Sequence, residues 1–359
     1  MITKLTKYWA VIFPALAWMV YYGKSAGLAG TYDLVVAAAL ISVVLAAVHH
    51  AEVIAHRVGE PAGTLVLAIA ITIIEVALIV SLMLTGGSET HTLARDTVFA
   101  AIMIILTGII GLCLLAGGVR YGEQHFGRHG TSAALVTLTA ISVLTLILPN
   151  YTTSAPGPVY NLSQLVFVAI ISLVLYGTFV MVQTVRHRAY FLPDGVAEDD
   201  DLETEKPTNQ TALISLLLLL ACLGSVVLLA KKLAPVIEEK VLALGAPESV
   251  VGVIVALVIL LPEGLAAYRA AKRNHLQISL NLALGSALAS IGLTIPAVAV
   301  VSMITGMTIS LGIDTKSTVL LILSLFTVAL SFTTGRTTIM QGVVLLVLFA
   351  VYLFTTIVP

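Results

Sequence analysis

Charged residues are scarce in this chain. Asp, Glu, Lys and Arg together make up 10% of its 359 residues, whereas hydrophobic residues make up 59%. A soluble domain carries roughly 25% charged residues, and no soluble fold of this length can bury so large a share of apolar side chains. The formal net charge of −1 also provides no basic surface for a nucleic acid. These scarcities exclude a soluble domain and a nucleic-acid partner, and they predict a polytopic helical membrane protein.

Cysteine is rare as well. The two cysteines, Cys113 and Cys222, each lie inside an apolar run, so neither is placed like half of a disulfide or like a zinc ligand. An enzyme would also need a nucleophile or a set of metal ligands, and none stands out. The sequence therefore predicts a protein that is not an enzyme.

Long apolar runs are abundant. A helix needs about 20 apolar residues to cross a bilayer, and eleven runs come near that length: 8–29, 32–54, 62–85, 97–118, 131–149, 163–185, 211–231, 249–268, 277–304, 317–333 and 338–357. The first run follows Lys4 and Lys7 and can also be interpreted as a signal peptide. We predict a retained helix, because the run is long and the GKSAGLAG that follows is a weak cleavage site.

The basic residues predict an orientation. With eleven spans, the segments on the side of the N-terminus carry 12 Lys and Arg residues, and the segments on the opposite side carry 6. Basic residues accumulate in cytoplasmic loops. We therefore expect a cytoplasmic N-terminus and an external C-terminus.

A polar linker at 187–210 interrupts the apolar pattern. Its centre is strongly acidic and contains Glu198, Asp199, Asp200, Asp201, Glu203 and Glu205. A run of like charges predicts a solvated segment. The linker separates an N-terminal helix (1–30) and five spans (31–186) from five further spans (211–359). Because five is odd, the second half enters the membrane from the opposite side, which is the arrangement of an inverted-topology repeat.

Two glutamates lie inside apolar runs, where insertion of a charged side chain into the bilayer costs about 2.5 kcal/mol or more. Glu75 occurs in LVLAIAITIIEVALIVSLML and Glu263 in VVGVIVALVILLPEGLAAY. Each falls in the second helix of its half of the chain. An intramembrane carboxylate is by default a candidate functional group, although either glutamate alone can also be a protonated, structural hydrogen-bond donor. Their matching positions predict one shared site where the repeats meet.

Carboxylates in a low-dielectric site bind protons and cations in competition. A lone buried carboxyl group favours its neutral form, whereas a bound cation favours the charged form. If Glu75 and Glu263 converge, one divalent cation or two protons can neutralise both. A protein that changes its accessible side only when this site is neutralised is an antiporter. Oxygen ligands suit Ca²⁺, and Na⁺ or K⁺ fits the same kind of site.

Polar neighbours complete the predicted site. Thr72 lies one turn before Glu75 on the same helical face, and Ser286 lies in the small-residue run LGSALAS, which permits close helix approach. Pro262 removes a backbone donor directly before Glu263, so that nearby carbonyl groups are free to face a cation. A simple kink at Pro262 and a packing role for Ser286 are the alternatives.

A second polar cluster ends the second span. His49, Glu52 and His56 share a helical face by their spacing, and three such groups can hold zinc, as in an intramembrane metalloprotease. An interfacial cluster is the alternative. A third interpretation makes Glu52, His56 and Glu60 a gate or a proton entry.

These residues together resemble the calcium/cation antiporter superfamily, in its cation/proton exchanger branch, and are most similar to bacterial ChaA-type calcium/sodium–proton antiporters. The first signature region of that family matches Glu52, Ala55, Gly59, Gly63, Leu65, Ala68 and then Glu75 in spacing. The second matches Glu263, Gly285, Ser286 and Pro296, and GRTTIMQG at 335–342 resembles the start of the family's last helix.

The resemblance implies an all-α polytopic membrane protein with 11 transmembrane helices, one extra N-terminal helix followed by two inverted five-helix repeats. It implies export of Ca²⁺, or of Na⁺ or K⁺, in exchange for protons carried by Glu75 and Glu263. These cations are transported substrates, and no resident cofactor is implied. The acidic linker would be cytoplasmic, either sensing cations or serving as a spacer. The resemblance also implies that the protein lies in the inner membrane of a bacterium.

Two departures keep the substrate open. Ile71, Thr72 and Ile73 stand where many cation/proton exchangers have Gly-Asn-Ala, and Ala289 replaces a glutamine. Fewer side-chain oxygens therefore surround the site, and a monovalent Na⁺(K⁺)/H⁺ antiporter is an alternative. A cation channel is a more distant one, since channels line a continuous pore with rings of groups, often from several subunits.

Overall fold

The computed structural model describes residues 2–23, 31–59, 70, 72–81, 83, 91–191, 207–245, 247 and 249–358. The acidic cluster of the linker and Glu60 lie outside these residues. The described residues form twelve α-helices and two short strands. Contacts group the chain into two compact units.

Apolar helices dominate the described residues. They are α1 (Ile2–Tyr22), α2 (Thr31–Val58), α3 (Thr72–Ser81), α4 (Leu93–Met103), α5 (Ile110–Tyr121), α6 (Arg128–Ser142), α7 (Leu162–Met181), α8 (Asn209–Ala243), α9 (Ser249–Lys272), α10 (Leu276–Thr305), α11 (Thr315–Phe332) and α12 (Ile339–Ile357). The π-helical turns Ile104–Ile109, Val143–Ile147 and Val182–Arg186 join α4 to α5 and extend α6 and α7.

The fold class that the sequence predicts is confirmed. Among the described residues, nine helical segments are long and apolar enough to cross a membrane, while Thr72–Ser81 and Tyr8–Tyr22 form shorter apolar helices. Every predicted span is helical in its described part, apart from one residue at an end of each of three spans, namely Gly23, Thr333 and Thr338. The protein is therefore an all-α integral membrane protein. The number of eleven crossings, the repeat layout and the domain boundaries stay predictions.

The first unit comprises residues 1–87 and 203–251. Within it, α1 packs against α2 and α8. The indole Nε1 of Trp18 donates to the carbonyl of Ala221 at 3.1 Å, and the Trp18 ring lies against Gly224. On α2, the ring Nε2 of His50 lies 3.0 Å from the carbonyl oxygen of Ala10. Helix α1 is therefore tied to this unit at Ala10 and at Trp18.

The second unit comprises residues 88–202 and 252–359. Helices α5 and α12 approach closely because glycines line their contact. A Cβ added at Gly342 would lie 2.5 Å from the backbone nitrogen of Leu115, and one at Gly118 would lie 2.7 Å from that of Ile339. Small residues allow this kind of close helix approach in membranes. Helix α10 packs against α7 in the same unit.

One end of the second unit is closed by a small sheet. Strands β1 (Glu123–His125) and β2 (Arg336–Thr338) pair antiparallel, with Gln124 opposite Thr337. The buried Gln124 side chain donates to the carbonyl of Ala271 at 3.1 Å and to Asn274 Oδ1 at 2.9 Å. The loop between α5 and α6 thus holds the corner between α9 and α10. These two strands are not predicted by the sequence pattern.

The opposite end of the unit is closed in a similar way. Val159 and Ser310 form an isolated antiparallel bridge, and Asn150 Nδ2 donates to the carbonyl of Ile313 at 2.6 Å. At this end the loop before α7 is joined to the loop between α10 and α11. At the end with the sheet, the loop before α12 is joined to the loop between α5 and α6. Helices α7 and α12 also begin alike, with capping boxes at Asn161 and Thr338.

Basic residues are concentrated at the end that carries the sheet, which we call the basic end. Its loops and helix ends carry Arg120, Arg128, Arg186, Arg188, Arg269, Lys272, Arg273 and Arg336. Glu123 lies there too, with its Oε1 3.4 Å from Nη1 of Arg336. The opposite end carries Arg95 and Lys316, and Arg95 pairs with Asp96 at 2.7 Å. Among the described residues of this unit, charge is therefore strongly asymmetric.

Candidate functional site

In the second unit the structure brings together two predicted site residues from different helices. The hydroxyl of Ser286 on α10 donates a hydrogen bond to Oε2 of Glu263 on α9. Both residues are half-buried. The Ser286 hydroxyl and the Glu263 carboxylate lie on two neighbouring membrane-spanning helices. The hydroxyl therefore supplies an additional oxygen ligand beside the carboxylate. This pair can hold either a proton or a cation.

The backbone around Glu263 is helical throughout. Helix α9 continues through Pro262, so this proline does not break the helix. Proline has no N–H, so the carbonyl of Val258 one turn earlier lacks its helical donor. Gly264, which directly follows Glu263, lies against Ile109. A Cβ added at Gly264 would come within 3.1 Å of the Cδ1 atom of Ile109. Ile109 ends a π-helical turn, a feature that is frequent at functional sites.

Helix α10 leaves space beside the Glu263–Ser286 pair. A Cβ built on Gly285 would have no heavy atom of the described residues within 4 Å, and Gly285 is half-buried. One turn beyond Ser286, the Ser290 side chain is 2% exposed. The site helix therefore combines a polar face with open space at the level of Ser286.

Tyr176 lies near the Glu263–Ser286 pair, although it is not among the site residues that the sequence predicts. It lies on α7, is buried, and interacts electrostatically with Glu263. Gly292 of α10 makes room for its ring, since an added Cβ would lie 2.8 Å from the Tyr176 Cβ. A tyrosine in the middle of an apolar span is the signal that could have identified it, because a buried phenol usually has a polar partner.

In the first unit, the other predicted pair lies on α3. Glu75 and Thr72 are each 4% exposed, whereas Ile73 between them is 48% exposed. The two polar side chains therefore share the buried face of the helix, one turn apart, as their spacing predicts. Glu75 and Glu263 belong to different compact units, and their predicted convergence stays a prediction.

The zinc hypothesis for the histidine cluster on α2 is wrong for the described residues, which contain no group of three or more His, Cys, Asp or Glu side chains able to hold a metal ion. The His49 ring instead packs on Trp9 at 5.2 Å between ring centroids. Glu52 and His56 are exposed on the last turns of α2. Their predicted partner Glu60 lies outside the described residues, as does the acidic cluster from Glu198 to Glu205.

Comparison by sequence relates this chain to a family of ion exchangers. It matches the family described as sodium/calcium exchanger protein over residues 30–185 and 214–358. It is 35% identical to the sodium-potassium/proton antiporter ChaA of Escherichia coli K12, over 96% of this chain and 95% of that protein. It is also 48% identical to the y4hA protein of Sinorhizobium fredii, over 91% of this chain and 88% of that protein.

Comparison by structure gives the same fold. Native YfkE superposes with a TM-score of 0.72 at 18% identity, covering 98% of this chain and 100% of that chain. The H⁺/Ca²⁺ exchanger CAX superposes with a TM-score of 0.69 at 16% identity, covering 96% and 88%. At these identities the likeness concerns the fold, and the family follows from the sequence matches.

Proposed function

This chain belongs to the sodium/calcium exchanger family, and from that premise we propose that it is an antiporter that exports Ca²⁺, and Na⁺ or K⁺, in exchange for protons. Family membership makes it a secondary transporter, so the prediction that it is not an enzyme is confirmed. The contact between Ser286 and Glu263 inside the membrane-spanning part of the second unit carries the proposal. The buried pair of Thr72 and Glu75 supplies a second candidate carboxylate.

The proposed mechanism follows from the competition of protons and cations for carboxylate oxygens. When Glu263 is protonated, it is neutral, so the protein can change the side from which the site is accessible at little electrostatic cost. When it is ionised, the Ser286 hydroxyl stabilises the charge and a cation can be bound by both oxygens. Glu75 and Thr72 would act in the same way. A site that is neutral only with protons or cation bound couples the two fluxes.

The orientation and the repeat layout belong to this proposal. We propose that the basic end of the second unit faces the cytoplasm of a bacterial cell, because basic residues accumulate on that side of a membrane. The similar closures at the two ends of this unit, and the capping boxes that begin α7 and α12, support two repeats of opposite topology. Such repeats place a transport site where they meet.

The cation is the finer question. The relative in Escherichia coli is named a sodium-potassium/proton antiporter, which favours a monovalent-selective antiporter as the second candidate. Two glutamates offer a combined charge of −2 to the cation, which matches Ca²⁺ and favours divalent transport if they converge. Ion competition distinguishes these candidates.

The test uses everted membrane vesicles from cells that lack other exchangers. A proton gradient is established, and its collapse is followed as Ca²⁺, Na⁺ or K⁺ is added. We expect wild type to collapse the gradient, and the ranking of cations identifies the substrate. If no cation releases protons, the antiport proposal is wrong. Cation flux without a fixed proton stoichiometry would indicate a channel instead.

Replacing Ser286 with Ala should weaken cation binding and leave the fold intact. The half-saturating cation concentration should rise about tenfold, because a hydrogen bond to a charged group contributes about 1.5 kcal/mol or more. Ser302→Ala is the matched control on the same helix, since its hydroxyl donates to the carbonyl of Met307, near the other end of α10. An equal effect of both variants would contradict a specific role for Ser286.

A further inference from the structure

A chain of three hydrogen bonds crosses α10 at the basic end. The backbone N–H of Gly127 donates to Gln277 Oε1 at 2.6 Å, and Gln277 Nε2 donates to Asn281 Oδ1 at 2.8 Å. Asn281 Nδ2 then donates to the carbonyl oxygen of Phe191 at 2.6 Å. Both amides use both of their polar ends. The chain thus connects the start of α6, the site helix α10 and the segment after α7.

The two amide side chains lie on the first turns of the membrane-spanning helix α10. The Gln277 side chain is 3% exposed, and Asn281 is half-buried one turn deeper. A polar group without a partner in this environment is costly, so each bond in the chain constrains the next. Loss of the Asn281 amide would leave both the Phe191 carbonyl and the Gln277 amide without these partners.

Phe191 is held in place by packing on other sides. Its buried ring lies 5.9 Å from that of Phe179, centroid to centroid. The preceding ring, Tyr190, is stacked between His129 and His187, with both centroid distances at 4.9 Å. The neighbouring Gly130 leaves room for the Tyr190 carbonyl, to which an added Cβ would come within 2.5 Å. The carbonyl that Asn281 binds therefore belongs to a residue whose own side chain is buried, at the end of an exposed segment.

Asn281 is the last of these tethers before the candidate site. Gln277, Asn281 and Gly285 recur every four residues and share one face of α10. At Gly285 an added Cβ would have no heavy atom of the described residues within 4 Å, so among these residues no packing contact of Gly285 on this face fixes the rotation of the helix. On the same face, one turn earlier, the hydrogen bond of Asn281 holds α10 and with it the position of the Ser286 hydroxyl.

We propose that Asn281 is a positioning residue for cation binding: its bond to Phe191 holds α10 in the rotation that presents Ser286 to Glu263. The inference rests on the proposed antiport function and adds a residue that acts through Ser286 without touching the cation. Gln277 supports it by accepting from Gly127 and donating to Asn281. Breaking the tether lets α10 rotate and weakens cation binding.

The first experiment compares Asn281→Leu with Asn150→Leu in the vesicle assay. Both asparagines donate to a backbone carbonyl at 2.6 Å, but Asn150 lies at the opposite end of the unit. Asn281→Leu should raise the half-saturating cation concentration about fivefold, as if the misplaced Ser286 lost a contribution to cation binding equal to about one hydrogen bond. Asn150→Leu should leave that concentration unchanged. Equal shifts in both variants, or none in Asn281→Leu, would overturn the proposal.

A double-mutant cycle separates positioning from general destabilisation. If Asn281 acts through Ser286, then Asn281→Leu should have little further effect in a Ser286→Ala background, because coupled residues are not additive. Additive shifts would overturn the proposal. If Asn281→Leu does not fold, Gln277→Leu serves in its place, with a smaller shift expected since the bond to Phe191 is kept. Failure of wild type to exchange any cation would instead contradict the proposed function itself.

Discussion

Replacing Glu263 with Gln is expected to abolish cation–proton exchange while the protein stays folded. Gln has nearly the same shape, and its amide can still accept the hydrogen bond that Ser286 now donates to the carboxylate. It can neither take up a proton nor balance a cation. Removing one partner of a buried charge pair costs about 3–5 kcal/mol, so the exchange rate should fall more than a hundredfold (about 2.7 kcal/mol or more). The measurement is the cation-induced collapse of a proton gradient in everted vesicles.

Glu75→Gln is expected to be equally damaging, because both carboxylates are proposed to carry the exchanged ions. Glu123→Gln is the matched control, since Glu123 is exposed at the basic end and pairs with Arg336 across 3.4 Å. Exposed ion pairs contribute at most about 1 kcal/mol, so exchange by this variant should stay close to wild type. If only one of the two intramembrane glutamates matters, the mechanism with two carboxylates is wrong.

Replacing Gly342 with Ala is expected to destabilise the second unit strongly for so small a change. The added Cβ would lie 2.5 Å from the backbone nitrogen of Leu115 and 3.0 Å from the carbonyl oxygen of Gly111. Backbone atoms cannot move aside as a flexible side chain can, so α5 and α12 must separate. Overpacking of this kind costs about 1–3 kcal/mol. Thermal unfolding of the detergent-solubilised protein, followed by loss of its monodisperse peak, measures the effect.

Gly177→Ala on α7 is the control for this prediction. A Cβ there would meet no heavy atom within 4 Å in the part of the chain that the structure describes, and alanine favours a helix interior by up to about 1 kcal/mol over glycine. The control should therefore melt at the wild-type temperature or slightly above it. If Gly342→Ala melted like Gly177→Ala, the close approach of α5 and α12 would not be a major source of stability.

The helical membrane fold could be predicted from the sequence because a bilayer imposes a length and a composition on every crossing helix. The predicted spans at 97–118 and 277–304 coincide with helix that the structure describes from Leu93 to Tyr121 and from Leu276 to Thr305. The isolation of Glu75 and Glu263 among apolar residues was equally visible, since an intramembrane charge is rare. The shared face of Thr72 and Glu75 followed from the helical period alone.

Contacts between residues far apart in the chain could not be predicted in this way. The spacing of residues along α10 gives no partner for Asn281, and its bond to Phe191 depends on how the segment after α7 packs against α6 and α7. Tyr176 reaches the neighbourhood of Glu263 because Gly292 lets α7 approach α10. The two short strands form because the loop after α5 meets the loop before α12.

The sequence by itself determined the environment, and with it the class of protein and the two candidate carboxylates, because transfer of each side chain into a bilayer depends mainly on local composition. Only the tertiary structure decided which hydroxyl faces Glu263 and which tethers hold the helix that carries it. Those contacts depend on the rotation and close approach of whole helices. Glycines such as Gly292 and Gly342 allow these close approaches because they have no side chain. For the same reason, a glycine in the sequence does not indicate which residue packs against it.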